Sequence, residues 1–142
     1  NERQNVTNED ERPAPRPGSR SRSPAPSGIV PRAIALEPQH VGNKFFTVAV
    51  ADAPSVGSAL LAIDFAQGAF TILGADVMLA GTANMQLIPV GPMQVSAMGS
   101  GYASISLRIP DNAALVGTPV FLQWFIVGGL LSASEGVQVV LF

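Results

Sequence analysis

The chain has 142 residues, of which 47% are apolar and 13% are charged. Its length allows one domain and an arm, but not two full hydrophobic cores. The apolar share is too high for an intrinsically disordered protein, and no apolar run is long and uninterrupted enough to predict a membrane-spanning helix. The sequence contains no cysteine, which excludes disulfides and thiolate chemistry.

Charge divides the chain into two parts. Residues 1–40 carry six basic and five acidic residues, a net charge of +1. Residues 41–142 carry two basic and five acidic residues, a net charge of −3. Such sparse charge is typical of a protein that buries part of its surface against a neighbour.

Residues 1–28 are predicted to form an extended arm. From residue 12 to residue 28 the sequence reads RPAPRPGSRSRSPAPSG, and its prolines favour polyproline II and exclude a helix. The basic run at 19–23 resembles arms that meet phosphate backbones. Acidic residues precede it, however, and the arm has no aromatic residue to stack on bases, so we do not expect nucleic acid as a partner. Asn5 begins an Asn-Val-Thr sequon and is a candidate glycosylation site.

Residues 29–43 are predicted to hold one strand and a flexible linker. The segment IVPRAIAL at 29–36 is strand-like, and Pro31 confines it to the edge of a sheet. Two alternatives follow: it is the first edge strand of the chain's own sandwich, or it is donated to the sheet of a neighbouring subunit. The second alternative makes this segment an assembly interface, formed by Ile29, Val30, Ile34 and Leu36.

Residues 44–142 alternate short apolar runs with glycine and proline turns. This pattern is typical of an all-β fold, and we predict an antiparallel β-sandwich of Greek-key or jelly-roll type. The stronger strand predictions are 44–51, 58–65, 102–109, 120–127 and 136–142, and the weaker ones are 69–73, 76–80, 84–90 and 93–98. Only residues 111–116 suit a helical turn, with Asp111 or Asn112 as its cap.

Individual side chains in these runs carry further predictions. In 58–65 the alternation places Leu61 on one face and Asp64 on the opposite face. Residues 120–127 are apolar on both faces apart from Gln123, as expected of a central strand. Trp124, the only tryptophan, is predicted to anchor the core.

Few residues suit catalysis or metal binding. His40 is the only histidine and there is no cysteine, whereas a serine triad needs a positioned base and a zinc site usually needs several histidine or cysteine ligands. We predict that His40 is a solvated linker residue and that Asp52 and Asp111 form turns. We therefore expect no enzyme activity, no cofactor and no metal.

Two stretches of the sequence resemble a known module. The run FTVAVADAPSVGSALLAIDF, which begins at Phe46, and the run from Ile109 to Phe142 are similar to the C-terminal β-sandwich module of large secreted proteins of planctomycetes and myxobacteria. The resemblance covers about residues 44–142. The positions that carry it best are Ile109, Pro110, Leu115, Gly117, Phe121, Gln123, Ser134, Gly136 and Val137.

The resemblance implies a β-sandwich, an extracellular location and a non-enzymatic role. Two positions depart from the module's pattern: Gly128-Gly129 replace a usual acidic residue, and Glu135 replaces a usual asparagine. The resemblance therefore implies no calcium or ligand role there. The chain begins with Asn1 and carries no charged-then-apolar leader, as expected after removal of a signal peptide or for an excerpt of a longer chain.

The leading functional hypothesis is a structural subunit of an extracellular filament or surface assembly. Its N-terminal arm or strand would dock on a neighbouring subunit and build a homopolymer. One alternative is a monomeric extracellular module that binds glycans or the cell surface, with Tyr102 as its exposed aromatic residue. A further alternative is a capsid-like shell protein with a basic arm.

Overall fold

The computed structural model describes residues 30–142. The predicted arm, with Asn5, and Ile29 of the predicted interface lie outside the described residues. None of the helices in the described part has the length and apolarity needed to cross a membrane. The strands are Arg32–Ala35 (β1), Phe46–Ala53 (β2), Ser58–Asp64 (β3), Gln67–Ile72 (β4), Ala75–Leu79 (β5), Gln86–Pro92 (β6), Gln94–Val95 (β7), Gly101–Leu107 (β8), Pro119–Gly128 (β9), Leu130–Ala133 (β10) and Val137–Val140 (β11).

The strands form three antiparallel sheets. Sheet A has the order β1-β2-β8-β7. Sheet B has the order β10-β9-β3-β6, with β11 also paired to β9. Sheet C is the β4–β5 hairpin. The predicted all-β sandwich is confirmed, and its strand order matches the immunoglobulin-type Greek key, with sheet C inserted after the third strand.

The main core lies between sheets A and B. Sheet A contributes Phe46, Val48 and Val50, which are buried because every second side chain of β2 points inward. Sheet B contributes Leu61 and Trp124 from its two central strands. Trp124 is only 1% exposed, so its predicted role as a core anchor is confirmed. Burial of such a side chain contributes about 3 kcal/mol.

A second core lies on the other side of sheet B. The side chains of Ala62 and Phe125 alternate with those that enter the main core, and they pack against Val77 and Leu79 of the hairpin. Sheet B is therefore covered on both faces, and β9 is a central strand of it, as predicted. The described part of the chain thus has three layers, in the order sheet C, sheet B and sheet A.

The segment between β1 and β2 is tied to the end of the chain. The N–H of Val41 donates to the carbonyl of Phe142 (2.9 Å), and the N–H of Phe142 donates to Gln39 (3.3 Å). Asn43 is buried, and its side chain donates to the carbonyl of Pro38 (2.7 Å). These bonds fix a segment that the sequence predicts as a flexible linker.

The predicted helical turn is a 3-10 helix at Ala113–Leu115. Asn112 is its cap, because the side-chain oxygen accepts a hydrogen bond from the N–H of Ala114 at 3.0 Å. One strand was missed: β10 follows the Gly128-Gly129 turn directly and pairs back on β9.

Candidate functional site

The outer face of sheet A is the surface on which Ile34 and Leu36 of the predicted interface lie. The strand register aligns Ile34, Ala49 and Ser104 in one row across β1, β2 and β8. The next row contains Thr47 and Ser106, and the N–H of Leu36 donates to Thr47 at 2.9 Å. The side chains in the middle of this face are short and largely uncharged. We call this surface the open face, because within residues 30–142 the third layer covers sheet B and not sheet A.

Large exposed side chains surround these short residues. Leu36 is 59% exposed and Phe45 is 69% exposed, both at one end of the face. Tyr102, on the same side of β8 as Ser104, is 41% exposed. Within residues 30–142 nothing buries these side chains, so the open face carries apolar area that the fold does not use.

The strand β1 pairs within its own chain. It lies antiparallel to β2 at the edge of sheet A, and the buried Pro31 directly precedes it. In an antiparallel ladder, residue pairs joined by hydrogen bonds alternate with pairs that have none between them. Since the N–H of Leu36 donates to Thr47, the backbone N–H and C=O groups of Ala33 and Ala35 face away from β2. Donation of this strand to a neighbouring subunit stays a prediction.

The predicted interface residues do not all lie on the same surface of the structure. Ile34 and Leu36 lie on the open face, with Ile34 half-buried and Leu36 exposed. Val30 is half-buried and precedes β1. The larger apolar and aromatic side chains on the open face are therefore Ile34, Leu36, Phe45 and Tyr102. Phe45 and Tyr102 lie outside the segment 29–36.

Basic residues border the open face. All three basic residues of the described part, Arg32, Lys44 and Arg108, lie in sheet A or immediately beyond the ends of its strands. Arg32 forms an exposed ion pair with Asp52 at 3.7 Å. The sequence predicts that Asp52 forms a turn, but it lies inside β2 at a bulge, with a φ of 54°.

The outer face of sheet B is covered by the hairpin, and Gln123 holds the hairpin in place. The side-chain oxygen of Gln123 accepts a hydrogen bond from the N–H of Met78 at 2.8 Å. Its nitrogen donates to the carbonyls of Asp76 (2.8 Å) and Ser134 (3.0 Å). The side chain thus satisfies the backbone groups along one edge of β5, as a neighbouring strand would.

Asp64 holds the segment that follows the hairpin, through hydrogen bonds from Thr82. The carboxylate is fully buried at the end of β3 and accepts hydrogen bonds from the N–H groups of Phe65 (2.8 Å) and Thr82 (3.0 Å) and from the Thr82 hydroxyl. Burial alone would raise the pKa of Asp64, but these hydrogen bonds and one from the backbone of Gly81 outweigh it, so the pKa lies below its ordinary value. The alternation predicts the face of Asp64 correctly and misses its burial.

The tip of the hairpin exposes apolar residues. Leu73 and Gly74 join the paired residues Ile72 and Ala75 and have φ values of 49° and 83°, which is the two-residue type I′ geometry. Leucine in this conformation costs about 1–2 kcal/mol, and its side chain is 86% exposed. Together with Ile72 (46%) and Phe70 (40%) it forms an exposed group that we call the hairpin patch.

The remaining predicted residues do not assemble into a site. His40 is exposed, its Nδ1 lies 2.9 Å from the carbonyl oxygen of Val41, and its ring lies 6.4 Å from that of Phe142. Asp111 packs close to Gly42. Within residues 30–142, no group of three or more histidine and acidic side chains is placed to hold a metal ion.

Gln123 and Asp64, which hold the hairpin and its flanking residues, differ in whether the sequence indicates their roles. Gln123 interrupts an otherwise apolar strand, and a polar residue there needs a buried partner. Asp64 had no such signal, because a carboxylate at a strand end usually faces water. Three positions that carry the resemblance to the secreted module lie close together at the hairpin: Gln123, Ser134 and Gly136. The N–H of Gly136 lies 3.3 Å from the sulfur of Met78.

Comparison with known proteins adds little to this description. No protein-family model matches the chain, and a search of curated proteins finds no relative. A solved structure, of a DUF4466 family protein from Parabacteroides merdae ATCC 43184, is similar over 78% of this chain with 14% identity and a TM-score of 0.45. The chain covers 42% of that protein's length. At this score the likeness carries no argument, and the resemblance to a secreted module stays a prediction.

Proposed function

We propose that the chain is a non-enzymatic structural subunit of an extracellular filament or surface assembly, and that it binds another copy of itself through the open face of sheet A. The observation that carries the proposal is the contrast between large exposed side chains at the rim and short side chains in the middle of one sheet face. Such a face allows a close approach of a second layer at about 10 Å, the usual distance between packed sheets.

The N-terminal strand belongs to this surface. β1 forms its edge and contributes Ile34 and Leu36 to it. The proposed contact includes this strand together with the N-terminal arm, whether the strand pairs with its own sheet or with a neighbour's.

Sedimentation velocity of the full chain over a range of concentrations tests the proposal. We expect the unmodified chain to self-associate, and a Leu36→Thr/Phe45→Ser variant to sediment as a monomer with unchanged thermal unfolding. Leu87→Thr is the matched control, because Leu87 is 57% exposed on β6 of sheet B and pairs with Ala62, which faces away from sheet A. A monomeric unmodified chain at every concentration would reject the proposal.

A second candidate function is glycan binding on the same face. Tyr102 lies beside the hydroxyl of Ser104, and aromatic rings combined with hydroxyl groups suit sugar rings. Binding to insoluble cellulose and chitin, compared between the unmodified chain and Tyr102→Ala, separates the two functions. Retention that depends on Tyr102, in a chain that stays monomeric, favours the glycan module over the assembly subunit.

A further inference from the structure

The outer edge of β1 carries backbone groups that the fold does not pair. β1 is the last strand on one side of sheet A, and within residues 30–142 no other strand or loop bonds to its outer edge. The hydrogen bond from Leu36 to Thr47 sets the alternation along β1, so the N–H and C=O groups of Ala33 and Ala35 point out of this edge. The edge therefore offers two donors and two acceptors to a further strand.

Other sheet edges in the described part are protected against such pairing. The far edge of sheet A is β7, which has only two residues. The outer strand of sheet B, β6, contains Pro89 and Pro92 and has a bulge in its pairing. Short strands, prolines and bulges are the usual means of blocking an edge. From Arg32 to Ala35, β1 has neither a proline nor a bulge.

An apolar gap lies beside this edge, where sheets A and B diverge. It is lined by Ala33 and Ala35 of β1 and by Leu122, Trp124 and Val137 of sheet B, among others. The side chain of Ala35 points toward sheet B and is nevertheless exposed. A strand added to β1 would place its own inward side chains over the gap and remove this apolar surface from water.

The strand best suited to this edge is β1 of a second copy. The proline-rich run at 13–26 contains five prolines, which donate no backbone hydrogen bond. In antiparallel pairing centred on Ile34, by contrast, Ala33 of each copy lies opposite Ala35 of the other. Each of these two pairs exchanges two hydrogen bonds, so every outward group of both alanines is satisfied.

Charge and proline select the same register. In pairing centred on Ile34, Arg32 of each copy lies opposite Leu36 of the other, and the two arginines are far apart. Pairing centred on Ala33 would bring the arginines closer together, and like charges across strands are destabilising. It would also place Pro31, which has no N–H, at a position that needs a donor.

We propose that two copies join their A sheets edge to edge, by antiparallel pairing of their β1 strands about a two-fold axis at Ile34. The inference rests on the proposed function and adds a second contact to it, which we call the edge contact. A contact between two open faces joins like surfaces, so on its own it stops at two copies. With the edge contact, each copy has two neighbours and the assembly grows beyond two copies.

The edge contact depends on the contact through the open face. Two strands of four residues bury far less than the roughly 1,200 Å² of a stable protein interface. The edge contact therefore forms in copies that the open face already holds together, and a chain with a disrupted open face stays monomeric.

A single introduced cysteine tests the register, because the chain has none of its own. In the edge contact, Ile34 lies opposite Ile34 of the other copy in a pair without hydrogen bonds, with Cα atoms about 4.5 Å apart, a distance that a disulfide spans. Under mild oxidation, we expect Ile34→Cys to form disulfide-linked dimers at concentrations at which the unmodified chain associates.

Ser104→Cys is the matched control for the disulfide. Ser104 is exposed in the same row of the same face, two strands in from the edge. Facing sheets lie about 10 Å apart, too far for a disulfide, so this variant should associate without cross-linking.

A proline at the edge tests growth. Ala33→Pro removes an outward N–H and leaves the bonds to β2 intact. In sedimentation velocity, we expect this variant to stop at two copies where the unmodified chain forms larger species. Ala33→Ser keeps the N–H and should assemble like the unmodified chain, and thermal unfolding of both variants checks that they fold.

The outcomes separate the edge contact from the proposed function. If Ile34→Cys associates without forming a disulfide, or if Ala33→Pro grows beyond two copies, the edge contact is wrong and assembly through the open face stands. Slow hydrogen exchange of Ala33 and Ala35 in the dilute, monomeric chain would show that residues before Val30 already cover the edge, and would also overturn it. If the unmodified chain never associates, the proposed function fails together with the inference.

Discussion

The outer faces of the two main sheets present different kinds of side chain. On sheet B, a buried glutamine binds the backbone of a hairpin, a buried aspartate binds the residues that flank it, and apolar residues of that hairpin fill a second core. On sheet A, the corresponding face carries alanine, serine and threonine with exposed leucine, phenylalanine and tyrosine at its ends. Within residues 30–142, only sheet B has a third layer. Sheet B is completed by residues of its own chain, and the proposed contact with a neighbour is on sheet A.

The largest expected effect comes from removing the hairpin's main anchor. Gln123→Leu deletes three hydrogen bonds and leaves the N–H of Met78 and the carbonyl of Asp76 without the side-chain partner they have now. We expect a loss of about 3 kcal/mol of unfolding free energy. Hydrogen exchange should rise across residues 67–79 more than in sheet A.

The matched control for this variant is Gln138→Leu, because Gln138 is exposed on β11. Its unfolding free energy should change by less than about 0.5 kcal/mol. Equal destabilisation by both substitutions would show that Gln123 does not hold the hairpin.

The second effect is a pH dependence that belongs to Asp64. Its pKa is lower in the folded chain than in the unfolded chain, so its stabilising contribution is complete above the ordinary pKa of about 4 and is lost as the pH falls below it. Asp64→Asn should cost about 2 kcal/mol at pH 7 and much less at pH 3. Urea unfolding of both proteins at several pH values measures this; parallel curves would contradict the role of the ionised carboxylate.

The third effect has the opposite sign. Leu73→Asn should stabilise the monomer by about 1 kcal/mol, because asparagine tolerates the positive φ that leucine adopts at a cost. Leu73→Ala keeps the cost and should leave the stability nearly unchanged. Thermal unfolding of dilute protein distinguishes the two, and equal melting temperatures would show that the turn is not strained.

The smallest effect on stability is expected on the open face. Phe45→Ser and Tyr102→Ser remove exposed side chains, so each should change the unfolding free energy by less than about 0.5 kcal/mol. A loss above about 2 kcal/mol in dilute solution would mean that these rings stabilise the monomer rather than a contact between copies.

The alternation of apolar and polar side chains along the sequence predicts many strands of this fold but only part of the candidate site. The strands at 46–53, 58–64 and 101–107 follow from their period of two, and Trp124 follows from its apolar surroundings. The third layer could not be predicted, because a hairpin of ordinary strand pattern does not reveal which sheet it covers. Phe45 and Tyr102 join Ile34 and Leu36 only through the register of sheet A, which depends on tertiary pairing.

Hydroxyl-radical footprinting of the full chain at increasing concentration tests the role of the open face most directly. We predict that the oxidation of Phe45 and Tyr102 falls as the chain associates, while that of Leu87, exposed on β6 of sheet B, stays constant. Unchanged oxidation of both aromatic residues in an associated sample would contradict assembly through the open face.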